Sequence, residues 1–151
     1  MLTFHKTTEE EKQIVCKWKY DGDYAIYNPA PLEEQEKLHR GFADPKNNYY
    51  SFLDGTRLIG YINLIEEETA VRFGIGVNPA LCNQGYGQQI TRIARELSHE
   101  RYPGKPIILE VRTWNLRAVR CYEKAGFQIV GEPIKRTTPI GEGQFFRMTA
   151  D

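Results

Sequence analysis

Apolar and polar positions change their period along this chain, and each change marks an element. The opening "LTFH" alternates and predicts a short first strand. Thr8 and Glu11 stand three apart as a capping box, which predicts a helix running to about Trp18. A loop rich in aromatics, "YDGDYAIYNPAP", leads to a second short helix over 32–42. The period then falls from 3.6 to 2. "YYSFL", the turn Asp54-Gly55 and "RLIGYINLI" predict a hairpin, and a polar turn over 67–69 leads to "AVRFGIGV". There Val71, Phe73, Ile75 and Val77 alternate with Arg72, Gly74 and Gly76, so one face is apolar and the other nearly bare. A strand with bare positions suits close approach of another backbone or a ligand, and a bulge at these glycines is compatible with that.

Helical spacing returns at Ile90, Ile93, Ala94 and Leu97, which share one face, so a helix starts at about Gly85. Pro103-Gly104 breaks the chain, and "IILEVR" reads as a buried strand. "NLRAVRCYEKAG" is a helix closed by a glycine, and "FQIVGE" with "GQFFRMT" predicts a final hairpin. The order is strand, two helices, three antiparallel strands, helix, strand, helix, two strands. It predicts an α/β (α+β) fold in one domain, residues 1–151, with a mixed, mostly antiparallel sheet, flanking helices and one crossover helix.

Composition narrows the function classes. Lys plus Arg equals Asp plus Glu, 20 against 20, so the chain lacks the global basic field that holds nucleic acid by phosphate neutralisation. Cys16, Cys82 and Cys121 follow neither a disulfide framework nor a metal-ligand spacing. No apolar run approaches the ~18 residues of a membrane span, and "MLTFHKTTEE" lacks the apolar core of a signal peptide. The expectation is a reduced, cytoplasmic protein with no metal, no membrane and no nucleic-acid partner.

The stretch "NQGYGQQ" (83–89) joins a strand to a helix with two glycines and exposed amides. A dinucleotide fingerprint needs a third glycine where Ile90 stands. A nucleotide phosphate loop needs Gly-Lys-Ser/Thr, and Gly87 is followed by Gln88-Gln89. What remains is a tight turn into a helix whose N-terminal N–H groups can hold an anion, or a turn that binds nothing.

In this stretch the chain resembles the GNAT superfamily of N-acetyltransferases. Their pyrophosphate loop, Gln/Arg-x-x-Gly-x-Gly/Ala, is matched by Cys82-Asn83-Gln84-Gly85-Tyr86-Gly87, with Cys82 where Arg or Gln is usual. The family's second signature, Asn-x-x-Ala-x-x-x-Tyr-x-x-x-Gly-Phe, is matched at every fixed position by "NLRAVRCYEKAGF" (115–127). The resemblance covers 49–149 in strand order, and the two helices ahead of the sheet also fit. It implies acetyl-coenzyme A as co-substrate and a sheet splayed between the strands at 70–77 and 107–112. The pantetheine arm would pair with the first of these strands at Ile75 and Val77. Backbone N–H groups of Gln84, Gly85, Tyr86, Gly87 and Gln88 would hold the pyrophosphate. The missing side chain at Cys82 removes one donor and leaves the backbone donors.

Three side chains are candidates for chemistry or cofactor contact. Asn115 opens a helix, as its N-cap or as a cofactor contact. Tyr122 stands on the same helix face; the resemblance makes it the acid that meets the departing sulfur, against a packed core tyrosine. Full proton transfer from a phenol of pKa ~10 to a thiolate of ~8.5 is uphill by roughly 2 kcal/mol, so hydrogen bonding to the developing charge is the chemistry to expect. Glu110, on the strand face opposite Leu109 and Val111, can take a proton from the attacking amine, directly or through water, or simply pair with Arg112 or Arg72. One branch of the family, the ribosomal-protein alanine acetyltransferases, carries a catalytic Glu in a similar "LEVR" strand, twelve residues before the tyrosine as here.

The acceptor is less legible. Trp18, Tyr24 and Tyr27, with Asp21 and Asp23 nearby, are the candidate acceptor-binding aromatics, since carboxylates beside aromatic faces suit a cationic amine. An α-amine of pKa ~8 is nearer to neutral at pH 7 than a lysine of ~10.4, so a weak base fits an α-amine or small polyamine better. The expected activity is transfer of acetyl to a primary amine of a small molecule or a protein N-terminus by direct attack in a ternary complex, with room for a homodimer. The alternative is a non-catalytic acyl-coenzyme A sensor or interaction module.

Overall fold

Thr8 begins the first helix by the mechanism its spacing predicts. Its hydroxyl accepts from the Glu11 N–H at 3.2 Å while Glu11 accepts from the Thr8 N–H at 2.9 Å, so two donors at the helix start are satisfied reciprocally. The computed structural model describes residues 1–151. Strand β1 (Leu2–Lys6) precedes this helix, α1 (Glu9–Val15), which ends three residues earlier than expected. The Lys17 and Trp18 N–H groups bond to Ile14 and Val15, three residues back. That tighter turn swings Trp18 off the helix line.

Helix α2 (Leu32–Leu38) also stops short of Phe42, because His39 takes a left-handed conformation (φ 51°). Arg40 then bonds back to the Gln35 carbonyl, an arrangement that closes helices. Buried Gln35 donates to the Ala30 carbonyl at 2.8 Å and accepts from the Phe42 N–H at 2.9 Å. Gly41 is required here: its φ is 54°, and a Cβ would strike the Gln35 amide oxygen.

The period-2 runs become β2 (Tyr49–Asp54), β3 (Arg57–Glu66) and β4 (Val71–Val77). The hairpin β2–β3 turns at Gly55 (φ 63°), with a register shift between Phe52 and Leu53. Helix α3 (Tyr86–Arg101) buries Ile90, Ala94 and Leu97 on the expected face. Strand β5 (Ile107–Arg112) and helix α4 (Leu116–Lys124) follow. Gly126 (φ 98°) lies just beyond α4, in space shared with the Arg95 guanidinium, which donates to the Ala125 carbonyl.

The carboxy-terminal hairpin differs from expectation. "FQIVGE" supplies only the two-residue β6 (Gln128–Ile129), and the hairpin partner of β8 (Gly141–Ala150) is β7 (Ile134–Thr138). Its turn is closed by Gly141 (φ 111°) and by the Thr138 hydroxyl donating to the Gly141 carbonyl. Strand β7 is solvent-facing and lacks the alternation that reveals a half-buried strand, and Pro133 and Pro139 flank it like loop residues.

Eight strands form one mostly antiparallel sheet in the order β1-β2-β3-β4-β5-β8-β6, with β7 on β8. The chain divides into two compact units, Met1–Ile65 with Ile75–Gly87, and Glu66–Gly74 with Gln88–Asp151. In the first unit Val15, Trp18 and Leu58 form a core cluster with Phe42, Leu53 and Tyr61 against it. In the second, Val71, Ile90, Ala94, Ile107, Leu109 and Met148 are buried. No helix is long and apolar enough to cross a membrane.

Candidate active site

The glycine turn owes its shape to two left-handed residues. Asn78 caps a short 3-10 turn (Pro79–Leu81) by accepting from the Ala80 N–H at 3.0 Å. Asn83 (φ 64°) and Gly85 (φ 84°) then redirect the chain, and α3 opens at Tyr86. Of the two glycines in "GYG", Gly85 is the one whose backbone demands the residue; Gly87 already lies inside the helix. A Cβ at Gly85 would meet nothing within 4 Å. Open space at the start of a 16-residue helix fits an anionic group such as a pyrophosphate. Cys82 is half-buried, with its sulfur 3.7 Å from the Asn78 carbonyl.

Strands β4 and β5 are parallel neighbours for two rungs only, Val71 with Ile107 and Arg72 with Ile108. Strand β5 continues against β8 along its whole length, so past Arg72 its other edge is left without this partner. Phe73, the next residue of β4, meets the Tyr122 ring edge-on at 6.3 Å and stacks on Phe127 at 6.1 Å. The half-buried phenol of Tyr122 thus stands beside the place where the ladder ends. Asn115 caps α4, its side-chain oxygen accepting from the Ala118 N–H at 3.2 Å, and is buried.

In the first unit Ile75 and Val77 are half-buried, and the Val77 carbonyl accepts from the Tyr20 hydroxyl at 2.7 Å. The bare position at Gly76 has a partner within the protein: a Cβ there would collide with the Tyr61 ring. Desolvation drives the Tyr61 phenol well above the ordinary range, and Tyr49 is pushed up to about 12 chiefly by the same cause. Both phenols stay neutral at physiological pH.

Glu110 lies on the face of β5 opposite buried Leu109 and Val111, as its position in the alternation predicts. Its main partner is neither expected arginine. Arg136, on the strand not anticipated from the sequence, donates through Nε at 3.1 Å and Nη2 at 2.8 Å, and Arg72 stands 3.9 Å away. The Arg136 hydrogen bonds hold the carboxyl below the ordinary range; partial burial pushes it up, but the charges of Arg136, Arg72 and Arg147 add to the lowering. Glu66 pairs with Lys105 at 2.8 Å.

The aromatics proposed for the acceptor separate. Trp18 is a core residue, 8% exposed and stacked on Tyr61 at 6.1 Å between centroids. Tyr24 and Tyr27 sit on a 3-10 turn (Gly22–Tyr27), half-buried and exposed respectively. The sequence could have flagged Trp18 by its place one turn beyond the buried Val15. Arg136 and Tyr61 carry no local signal in the sequence, because their partners Glu110, Gly76 and Trp18 lie far away along the chain.

A mixed sheet with a two-rung parallel pair, a glycine turn into a long helix and a capped helix carrying Tyr122 is the arrangement that the resemblance to the N-acetyltransferases implies. The chain belongs to the acetyltransferase (GNAT) family, whose model matches residues 12–127. It is 33% identical over 99 residues to the N-alpha-acetyltransferase RimI of Mycobacterium tuberculosis, covering 62% of this chain and 60% of that protein. Among solved structures it resembles the spermidine N-acetyltransferase of Vibrio cholerae in complex with CoA and spermine, with TM-score 0.76 and 21% identity over 99% of this chain and 94% of the other. It also resembles the ribosomal-protein-S18-alanine N-acetyltransferase of Escherichia coli, with TM-score 0.70 and 17% identity over 99% and 92%. These two likenesses concern fold.

Proposed function

We propose that the protein transfers acetyl from acetyl-coenzyme A to a primary amine, of a small molecule or a protein N-terminus, by direct attack in a ternary complex. The observation that carries this reading is the early end of the β4–β5 ladder beside Phe73 and Tyr122, in a chain whose family match encloses both the glycine turn and α4. The cofactor supplies the activated acetyl group. Residues Gln84 to Gln88 would hold its pyrophosphate at the start of α3, where backbone donors and the helix dipole favour negative charge. Ile75 and Val77 would offer strand edge to its amide-bearing arm, and Asn115 would add a contact while capping α4.

Tyr122 would donate a hydrogen bond to the sulfur as negative charge develops there. Glu110, ionised throughout the neutral range, would accept the amine's proton directly or through water. Tyr24 and Tyr27 are the remaining aromatic candidates for acceptor contact. The rival reading, a non-catalytic acyl-coenzyme A sensor, predicts cofactor binding without turnover.

A panel of primary amines incubated with acetyl-coenzyme A, with thiol release as the readout, decides between them. A thermal-shift measurement with acetyl-coenzyme A runs alongside, because a ligand bound only by the native state raises its melting temperature. Thiol release with an acetylated product supports the enzyme; a thermal shift without turnover across the panel supports the sensor; the absence of both removes the reading.

A further inference from the structure

The register of β5, β7 and β8 gathers charge on one face. Directly opposed residues share a face of a sheet. Arg147 on β8 opposes Glu110, Phe145 opposes Arg112, and Gly143 opposes Arg136. Arg72, opposite Ile108 on β4, lies on this face too. Four guanidiniums therefore stand together with two carboxylates, Glu110 and the adjoining Glu67.

Both carboxylates are already engaged. Glu67 accepts from Arg72 at 3.2 Å, and Glu110 is held by Arg136 and Arg72. Arg112 and Arg147 have no carboxylate within ion-pair distance. Arg112 is nevertheless fixed in place: its guanidinium lies 4.8 Å over the Phe145 ring and donates to the Thr138 hydroxyl at 3.3 Å. It also fills the space that a side chain at Gly143 would need. A guanidinium held by an aromatic face, a hydroxyl and a bare strand position is pre-organised, and its charge is left for a ligand. Arg147 is exposed beside it.

We propose that the acceptor is an amine carrying negative charge, carboxylate or phosphate, within reach of its nitrogen, and that Arg112 and Arg147 receive that charge. This inference rests on the acetyltransferase reading and on the end of the β4–β5 ladder as the place of transfer. Same-face neighbours on a strand are about 7 Å apart and cross-strand partners about 5 Å. An amine facing Glu110 would therefore place an anion some 5–7 Å away against these arginines. A polyamine would instead bring positive charge to a face with surplus positive charge.

The test uses acceptors matched in shape. C-terminally amidated Ala-Glu-Glu, Ala-Gln-Gln and Ala-Lys-Lys peptides are compared with O-phosphoethanolamine, ethanolamine and spermidine, in thiol release with acetyl-coenzyme A and in calorimetric binding to protein saturated with coenzyme A. We expect the anionic member of each set to exceed its neutral counterpart by about tenfold or more in kcat/KM, mainly through KM, and to bind more tightly. A preference confined to the peptides assigns the site to an acidic protein N-terminus, and one confined to phosphoethanolamine to a small phosphorylated amine. Arg112→Gln and Arg147→Gln should each shrink the ratio, and Arg147→Glu should turn the preference towards Ala-Lys-Lys. Equal binding of anionic and neutral members, or preference for spermidine, overturns the proposal whatever the activity. Anion-selective binding lost in the arginine variants but without turnover retains the site and removes only the catalytic reading.

Discussion

Glu11 and Glu110 are partly buried carboxylates in different regions, both held below the ordinary glutamate range by different means. For Glu11 the largest influence is desolvation, which pushes its pKa up; hydrogen bonds from the Thr8 N–H, His5 and Ser51 outweigh it. For Glu110 the largest influence is itself lowering, the paired hydrogen bonds from Arg136. The first carboxylate is fixed by the backbone it caps, so its charge serves the fold. The second is fixed by a side chain that can be displaced, on an open face of the sheet. A lowered pKa alone therefore does not identify a functional residue; the identity of the partner does.

The largest expected effect falls on the second region. With a confirmed acceptor that carries no carboxylate or phosphate, Glu110→Gln should lower kcat by about tenfold or more, a barrier increase of ~1.4 kcal/mol. The deficit should narrow as pH rises towards the amine's own pKa, because solution then removes the proton that Glu110 would have taken. Thiol-release rates across pH measure this directly. A deficit of equal size at every pH would move Glu110 from proton removal to acceptor binding or support.

Glu11→Ala should do the reverse. Loss of the capping box should cost about 1 kcal/mol, a fall of ~2–4 °C in melting temperature for a chain of this size, with kcat unaffected. A group whose pKa is lowered by folding stabilises the protein above its unfolded pKa, and that contribution disappears as pH falls through the folded value. Urea unfolding at pH 7 should therefore separate wild type from Glu11→Ala, and the gap should narrow below about pH 4.3. Equal stability at pH 7 would contradict the capping role.

These two regions also differ in how far the sequence reveals them. Thr8 and Glu11 are three residues apart, and their hydrogen bonds are local, so the spacing announces the pair; the same holds for Asn115 and the N–H of Ala118. Arg136 and Glu110 are 26 residues apart. Their meeting depends on β7, whose solvent-facing residues and flanking prolines hide it. Gly76 carries a different lesson. Its bareness is legible in the sequence and its cause is not, because Tyr61 lies on another strand and its ring occupies the space beside Gly76. Trp18 is buried because α1 ends at Val15, beyond which three-residue hydrogen bonds tighten the turn, and no spacing in the sequence marks that end.

The smallest expected effect is also the most discriminating. Arg136→Gln removes the leading cause of Glu110's lowered pKa, so the carboxyl should titrate at higher pH than in the wild type, which a carbon-13 titration of the Glu110 side chain can follow. The group stays ionised at neutral pH and becomes a slightly stronger base. With an acceptor that carries no carboxylate or phosphate, turnover at pH 7 should therefore change by no more than a few-fold, well short of the roughly tenfold loss expected for Glu110→Gln. If Arg136 and Glu110 instead act together as a strut between β7 and β5, each single substitution should cost turnover equally, and the double variant should cost no more than either. That pattern would withdraw the base role from Glu110 and leave proton removal to water.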